Sequence, residues 1–327
     1  MKRATLAPSS AIRQRDRLVP PWPGREHNVN GHSLFVRYTP ATSDAAEPAL
    51  YVHGLGGSAQ NWTDLADVLS ERLEGESIDL PGFGHSAPTD RYTIPALAKQ
   101  VAAWIMESNR GPVHLFGNSL GGAISVYLAA TRPHLVKTLT LISPAMPFAD
   151  VRQSSQSRFL PLLALPHADR IANRAIAGLP PEKLVEQVLD NCWAEPDSVP
   201  EQRRAEAIEE IRWRMAVPWN TDAYVKTFRA LVGSFVQSFL PGASSLWRLA
   251  GQIQAPTLVM WGKQDRLVNV GLAPQVARTI PNSRLLVLDH VGHVAMMERP
   301  EVTARAVIAM LDESGPRTSY TQASVQK

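Results

Sequence analysis

Short apolar runs alternate with segments of helical periodicity along most of the chain. The clearest helical segment spans 94–107, where the apolar face consists of Ile94, Leu97, Val101 and Ile105. Continuous apolar strands between amphipathic helices predict an α/β fold, a parallel sheet with helices on both faces. The pattern predicts strands at 34–38, 50–52, 77–79, 113–116, 138–142, 257–261 and 284–288, and helices at 61–73, 94–107, 120–131, 271–280 and 301–312. Asn30-Gly31 predicts a tight hairpin turn before the first of these strands.

The alternation of strands and helices stops at Pro144 and resumes at Pro256. Residues 145–250 have a helical pattern that prolines interrupt, and they contain no clear strand. A helical block is therefore inserted into the α/β body. The predicted units are an N-terminal arm over residues 1–24, a core over 25–143 and 252–313, an inserted helical cap over 144–251, and a polar tail over 314–327.

Positive charge is concentrated at the N-terminus. The formal net charge of the chain is +3. The first 25 residues contain one acidic residue, Asp16, and the basic residues Lys2, Arg3, Arg13, Arg15, Arg17 and Arg25. The rest is close to neutral, which argues against a nucleic-acid-binding surface on the folded body. We expect residues 1–24 to form a mobile arm. Two interpretations of this arm stay open: an unstructured tail, or a weak contact with anionic lipid in which Trp22 is an interfacial anchor.

Cysteine content and hydropathy narrow the class of protein further. Cys192 is the single cysteine, so an intramolecular disulfide and a cysteine-based zinc cluster are both excluded. No apolar run approaches the roughly 18 to 20 residues of a membrane span, and polar residues interrupt the N-terminus where a signal peptide needs an apolar stretch. We therefore expect a cytoplasmic protein, with peripheral membrane contact through the arm.

A glycine-flanked serine lies between a predicted strand and a predicted helix. Gly117-Asn118-Ser119-Leu120-Gly121 follows the G-x-S-x-G pattern, in which a sharp strand-to-helix turn exposes the serine hydroxyl. Side chains at the flanking positions would clash, which explains the two glycines. The following helix brings its N-terminal N–H groups close to the hydroxyl. Ser119 is therefore the candidate nucleophile.

A serine nucleophile needs a base, and the base needs an orienting group. In a sheet of this type the acid and the histidine follow the serine in sequence. Asp265 and His293 each lie in the loop after a predicted strand, so both loops open on the edge where Ser119 lies. Asp150, which follows a different strand, is the alternative acid. His290 is expected to have a structural role.

A second glycine-rich loop follows the strand at 50–52. The loop is His53-Gly54-Leu55-Gly56-Gly57, and it ends an early strand beside the serine turn. The backbone N–H groups of Leu55 and Leu120 are the candidates for stabilising a developing oxyanion. His53 is expected to brace the loop by hydrogen bonding.

Four features together resemble the α/β-hydrolase superfamily. They are the His53-Gly54 turn, the loop Asp79-Leu80-Pro81-Gly82-Phe83-Gly84, the turn Gly117–Gly121, and the Asp265/His293 pair. The resemblance covers the predicted core, and the inserted block lies in the position of that family's helical cap. Their order and spacing together are specific, although each feature alone is only moderately so.

The resemblance implies a serine hydrolase. Ser119 would attack a carbonyl carbon, His293 would take the proton and return it to the leaving group, and Asp265 would hold the imidazole tautomer. Water would then release the acyl-enzyme. The resemblance implies no metal and no organic cofactor.

Aromatic residues in the cap favour a small apolar ester as substrate. The candidate pocket residues are Asn118, Met146, Phe148 and Val294. The serine turn is also similar to that of the meta-cleavage-product hydrolases, which break carbon–carbon bonds. Those enzymes usually have a bulky aromatic residue after the catalytic histidine, where this chain has Val294. A non-catalytic receptor or scaffold of the same fold is a third alternative.

Overall fold

One mixed sheet organises residues 1–148, 178–240 and 245–314, which are the residues that the computed structural model describes. Its strands are β1 (Lys2–Arg3), β2 (Gly24–Val29), β3 (His32–Thr39), β4 (Glu47–Val52), β5 (Leu73–Ile78), β6 (Val113–Asn118), β7 (Val136–Ile142), β8 (Thr257–Gly262) and β9 (Ser283–Leu288). They lie in the order β1-β9-β8-β7-β6-β4-β5-β3-β2. In this order, each strand from β1 to β5 is parallel to its neighbour. Strand β3 is antiparallel to β5, and β2 is antiparallel to β3.

Helices cover both faces of the sheet. The α-helices of the described ranges, including those of the cap, are α1 (Thr63–Val68), α2 (Ile94–Glu107), α3 (Leu120–Thr131), α4 (Pro181–Cys192), α5 (Glu201–Ala216), α6 (Asn220–Gln237), α7 (Leu246–Ala250), α8 (Ala273–Thr279), α9 (Ala295–Glu298) and α10 (Pro300–Ser314). Helices α2, α3, α7 and α8 contribute to the hydrophobic core on one face, and α1, α9 and α10 contribute to that on the other. The predicted α/β architecture is therefore confirmed.

Strand side chains divide between the two cores with the period of a pleated strand. In β4, Leu50 and Val52 lie in one core, whereas Ala49 and Tyr51 lie in the other. All four side chains are buried, with at most 1% of their surface exposed. Because both faces are apolar, the central strands read as continuous apolar runs in the sequence.

Several predicted elements match the structure closely. The helices predicted at 94–107 and 120–131 are α2 and α3. Asn30 and Gly31 have positive φ angles of 51° and 83° in the turn between β2 and β3, as a tight hairpin requires. The helix predicted at 61–73 is shorter, because a 3-10 turn precedes α1 and the chain already enters β5 at Leu73.

The described part of the predicted cap is helical. Helices α4, α5 and α6 belong to it, and α4 packs against α5. Helix α7, which the prediction assigns to the cap, instead packs against α3 and buries Leu246 and Ala250 in the core. None of the helices in the described ranges combines the length and apolar character needed to cross a bilayer.

The N-terminal residues differ from the predicted mobile arm, because they pack onto the core. Lys2 and Arg3 form β1, which pairs with β9 at the edge of the sheet. Ala7 exchanges hydrogen bonds with Arg305 of α10, and both Ala7 and Ile12 are buried. The sequence gives no local sign of this, because the pairing partners lie at the opposite end of the chain.

The basic residues of this segment make ion pairs within the protein. The Arg15 side chain, which is 11% exposed, pairs with Asp64 of α1 and with Glu301 of α10. Arg203 of α5 also binds Asp64, with two N–O distances of 2.9 Å. Trp22, predicted to be an interfacial anchor, donates its indole N–H to the carbonyl of Thr63 at 3.2 Å. These contacts join the N-terminal segment, the core and the cap.

Two buried polar side chains hold the loops after β4 and β5. His53 donates from Nδ1 to the Gly54 carbonyl at 2.7 Å and accepts the Leu80 N–H at Nε2, at 2.9 Å. Asp79 accepts the backbone N–H groups of Ala59 and His85, at 2.6 and 2.9 Å. The bracing role predicted for His53 is therefore present. Burial lowers the pKa of His53 to about 4 and raises the pKa of Asp79 to about 6.

Replacing Arg15 with alanine should destabilise the protein. The substitution leaves the carboxylate of Glu301 without this cation and leaves Asp64 with Arg203 alone, so the free energy of unfolding should fall by about 1 to 3 kcal/mol. Urea denaturation measures the change. Arg17→Ala, at an exposed position in the same segment, is the matched control and should change stability by less than about 0.5 kcal/mol. Equal effects of the two substitutions would contradict this packing of the N-terminal segment.

Protonation of His53 should contribute to acid destabilisation. The folded protein holds the ring neutral down to about pH 4, whereas the unfolded chain binds a proton below its ordinary pKa of 6.5. Stability from this group is thus complete above pH 6.5 and is lost as the pH falls towards 4, by about 3 kcal/mol in total. The pKa of Asp79 is raised instead of lowered, so its contribution to stability rises as the pH falls. Because His53→Gln lacks only the histidine contribution, the unfolding free energies of wild type and this variant should converge between pH 7 and pH 4. Parallel curves would show that His53 is not held neutral in the folded protein.

Candidate active site

Three loops at the carboxyl ends of parallel strands bring the predicted catalytic residues together. Ser119 follows β6 directly, Asp265 lies in the loop after β8, and His293 lies in the loop after β9. Ser119 and His293 line one cavity, and Asp265 is bonded to His293 behind it. The convergence follows from the shared direction of the strands, because their carboxyl ends meet at one edge of the sheet.

Ser119 occupies a backbone conformation that non-glycine residues rarely adopt. Its φ and ψ angles are 52° and −116°, at the residue that precedes α3. A Cβ atom on Gly117 would lie 2.5 Å from the Gly121 carbonyl oxygen, and one on Gly121 would lie 2.2 Å from the Val52 oxygen. Glycine at positions 117 and 121 therefore permits β6 and α3 to pack closely at the turn, and this close packing exposes the Ser119 hydroxyl.

His293 is bonded to a buried carboxylate. The distance from His293 Nδ1 to Asp265 Oδ2 is 2.9 Å, and the two side chains are 4% and 0% exposed. The other Asp265 oxygen accepts the backbone N–H groups of Leu267 and Val268, at 2.8 and 2.9 Å. Since the acceptor at Nδ1 is a carboxylate, Nδ1 carries the proton and Nε2 is the basic nitrogen. This is the acid–base pairing that a serine nucleophile requires.

Asn118 links the serine turn to the histidine loop. Its buried side-chain amide donates to the Ile142 carbonyl at 3.0 Å and to the His293 carbonyl at 3.1 Å. Both acceptors are backbone atoms, so the bonds fix the main chain rather than a mobile side chain. Asn118 also lines the cavity, as predicted. It therefore sets the position of His293 relative to Ser119.

The loop after β4 lies directly over the serine. A Cβ atom on Gly54 would be 3.1 Å from the Cβ of Ser119, so the close approach depends on glycine. Leu55 lines the cavity next to Ser119. Within the described ranges, no hydrogen bond uses the backbone N–H of Leu55 or that of Leu120. Neither of these two predicted donors therefore has a protein acceptor in the part of the chain that the structure describes.

The cavity has a volume of about 170 Å³, and its lining contains both apolar and polar side chains. The apolar lining residues come mainly from the cap and include Val185, Val188, Leu189, Trp193, Ala207, Ile211, Leu267, Val294 and Met297. The polar lining residues include Gln60, Asn61, Asp64, Arg203, Glu210 and Arg214. A molecule with an apolar part and a polar part fits such a cavity.

Two of the four predicted pocket residues do not lie among the lining residues of this cavity. Asn118 and Val294 line it, whereas Met146 is fully buried in the core and Phe148 packs against Phe235 with 5.5 Å between ring centroids. Both residues follow β7 in sequence; Met146 is buried in the core, and Phe148 is partly buried against it. The alternative acid, Asp150, falls outside the described residues.

The apolar wall formed by α4 is absent from the sequence predictions. Val185, Val188, Leu189 and Cys192 face the cavity from this helix. Their spacing of three and four residues marks one face of a helix, which is the signal that identifies the wall. Burial raises the pKa of the Cys192 thiol to about 12, so the thiol stays protonated and does not compete with Ser119 as a nucleophile.

Other histidines are engaged away from the cavity. His290, expected to be structural, has an exposed side chain, and its Nδ1 lies 3.1 Å from Glu195. His85 stacks on Trp213 with ring centroids 4.7 Å apart. His53 lies beneath the glycine-rich loop and is fully buried. Among the histidines of the described ranges, His293 is the one that lines the cavity.

Several known proteins with similar sequences or structures are named as lipases or phospholipases. The chain is 30% identical over 270 residues to the monoacylglycerol lipase ABHD6 of Rattus norvegicus, covering 80% of this chain and 74% of that protein. It is 28% identical over 271 residues to lipase 1 of Psychrobacter immobilis, covering 80% and 75%. A solved structure of a membrane phospholipase A, a bacterial virulence factor, matches with a TM-score of 0.72 and 25% identity, covering 90% of this chain and 87% of that one.

The family model of the α/β hydrolase fold matches residues 48–300 of the chain. This range begins in β4, contains the serine turn and both partner loops, and ends at the start of α10. The resemblance expected from the sequence motifs is thereby confirmed over most of the chain. The protein belongs to the α/β-hydrolase family.

Proposed function

We propose that the protein hydrolyses carboxylic esters with apolar acyl groups, with Ser119 as the nucleophile. The observation that carries this proposal is the bond from His293 to the buried Asp265 carboxylate, beside a serine held at a strained strand-to-helix turn. A neutral imidazole fixed in this tautomer is the base that a serine hydroxyl needs. The relatives named as lipases support the choice of esters.

The reaction proceeds in two acyl-transfer steps. Ser119 Oγ attacks the ester carbonyl while its proton passes to Nε2 of His293. The imidazolium, held by Asp265, then returns that proton to the departing alcohol, which leaves an acyl group on Ser119. Water repeats the sequence: His293 takes a proton from it, the hydroxyl oxygen attacks the acyl carbon, and the acid is released with Ser119 regenerated.

The backbone N–H groups of Leu55 and Leu120 form the oxyanion hole in this proposal. Neither N–H has an acceptor among the described residues; Leu120 directly follows Ser119, and the loop that contains Leu55 approaches Ser119 at Gly54. Negative charge develops on the carbonyl oxygen only as the bond to serine forms, so donors fixed in place stabilise the transition state more than the ground state. A donor of this kind lowers the activation free energy of acyl transfer by about 3 kcal/mol.

The mixed lining of the cavity supports an ester of amphipathic character. Its apolar side chains suit the acyl chain, and its polar side chains, which include Gln60 and Arg203, suit a small alcohol that carries hydroxyl groups. A monoacylglycerol has this composition, and it is the substrate class named for the mammalian relatives. We therefore include monoacylglycerols among the proposed substrates, beside simpler esters with medium acyl chains.

Replacing Ser119 with alanine should abolish ester hydrolysis. Turnover of p-nitrophenyl butyrate and of a monoacylglycerol should fall at least about a thousandfold, because the nucleophile is removed. Ser108→Ala, at the C-terminus of α2 and outside the cavity lining, is the control and should retain wild-type turnover. A wild type that cleaves a vinylogous diketone acid far faster than any ester would overturn the proposal in favour of carbon–carbon hydrolysis. A wild type that is inactive on all of these substrates would favour a scaffold.

Narrowing the apolar wall should shift the preference of the enzyme to shorter acyl chains. Val185→Phe adds bulk to a buried position of α4 that lines the cavity. The ratio of kcat/KM for octanoate to that for acetate esters should fall by about tenfold. Val236→Phe, at an exposed position of α6, is the matched control and should leave this ratio unchanged. An unchanged ratio in Val185→Phe would mean that the acyl chain binds elsewhere.

A further inference from the structure

The carboxylate of Glu298 lies within hydrogen-bond distance of the backbone on both sides of His293. It accepts the Gly292 N–H at both oxygens, each at 2.9 Å, and the Val294 N–H at 3.3 Å. Glu298 is the last residue of α9, the short helix that follows the histidine loop. The loop therefore closes on a single carboxylate, with His293 between the two residues that donate to it.

The same carboxylate also binds the cap. It accepts the backbone N–H of Ala194 at 2.8 Å, just beyond the C-terminus of α4. Close by, the His293 N–H donates to the Cys192 carbonyl at 2.7 Å. A Cβ atom on Gly292 would lie 2.4 Å from that carbonyl oxygen, so the approach of cap and loop depends on glycine. The histidine loop is thus fixed against the end of α4.

The partners of Glu298 are unusual for a carboxylate of its burial. The hydrogen bonds found for it come from backbone N–H groups of Gly292, Val294 and Ala194, and no arginine, lysine or histidine pairs with it within the described ranges. Burial raises the pKa of Glu298, while these N–H groups oppose that rise. Three donors that converge on one partly buried anion form a rigid assembly, because each would lose its acceptor if the anion were removed.

We propose that Glu298 is a second positioning residue of the active site, beside Asn118: it holds His293 at the correct distance from Ser119 by binding the main chain on either side of it. This inference rests on the proposed serine hydrolase function. Asp265 orients the imidazole ring through Nδ1, whereas Glu298 fixes the backbone from which the ring projects. An error of about 1 Å in the position of a catalytic base costs about a hundredfold in rate.

The substitution Glu298→Gln tests this role. Glutamine has nearly the same volume, but its amide group has one oxygen, and its NH2 group opposes at least one of the three N–H donors. We expect kcat for a soluble short-chain ester to fall between about tenfold and a hundredfold, with KM within about threefold of wild type. Glu301→Gln is the matched control: it lies three residues further on, pairs with Arg15, and faces no catalytic loop. It should lower stability and leave kcat unchanged.

A spectroscopic measurement separates this inference from the proposed function. The proton shared between His293 and Asp265 should give a strongly deshielded resonance in the 1H NMR spectrum, which is absent in Asp265→Asn. In Glu298→Gln the resonance should shift or broaden, and in Glu301→Gln it should match wild type. This result does not require turnover, so it stands even if no ester is cleaved. Folded Glu298→Gln protein with wild-type kcat, or with an unchanged resonance, would overturn the proposal.

Discussion

The steric constraint at the turn between β6 and α3 determines the rest of this active site. Strand and helix cross so closely that the Gly121 backbone lies against the Val52 carbonyl, with no space for a Cβ atom. Ser119, at the tip of the turn, is held at a φ of 52°, and its own N–H is bonded to the Ile142 carbonyl at 3.1 Å. The packing of the surrounding sheet maintains this strain, which exposes the hydroxyl at the edge where the other loops converge.

Backbone contacts fix these loops against the turn. Asn118 donates to the carbonyl of His293, and the glycine-rich loop after β4 passes within van der Waals distance of the serine. His53 fixes that loop from beneath by bonding to the Gly54 carbonyl. The cap contributes through Arg214 of α5, which donates to the Gly56 carbonyl. The polar groups of the site are thus set by the main chain, which moves less than side chains do.

Local pattern and chain order made much of this predictable. Helices α2 and α3, the serine turn and the acid–histidine order have signatures that extend over a few residues. In the structure α2 and α3 span the predicted residues, Ser119 lies at the turn before α3, and His293 Nδ1 is bonded to Asp265. Contacts between distant segments have no such signature. The packing of residues 1–24 onto β9 and α10 and the burial of Met146 depend on where remote parts of the chain meet. The cavity wall on α4 has a readable apolar stripe, but its direction depends on how the cap sits on the core.

The most direct test of this account is covalent labelling with a fluorophosphonate followed by mass spectrometry of the digested protein. The probe reacts with a serine hydroxyl only where a base activates it. We expect one adduct per chain, on Ser119, and strongly reduced labelling when His293 is replaced by alanine. An adduct on a different residue, or no adduct in a preparation that hydrolyses esters, would contradict the role of Ser119 as a nucleophile activated by His293.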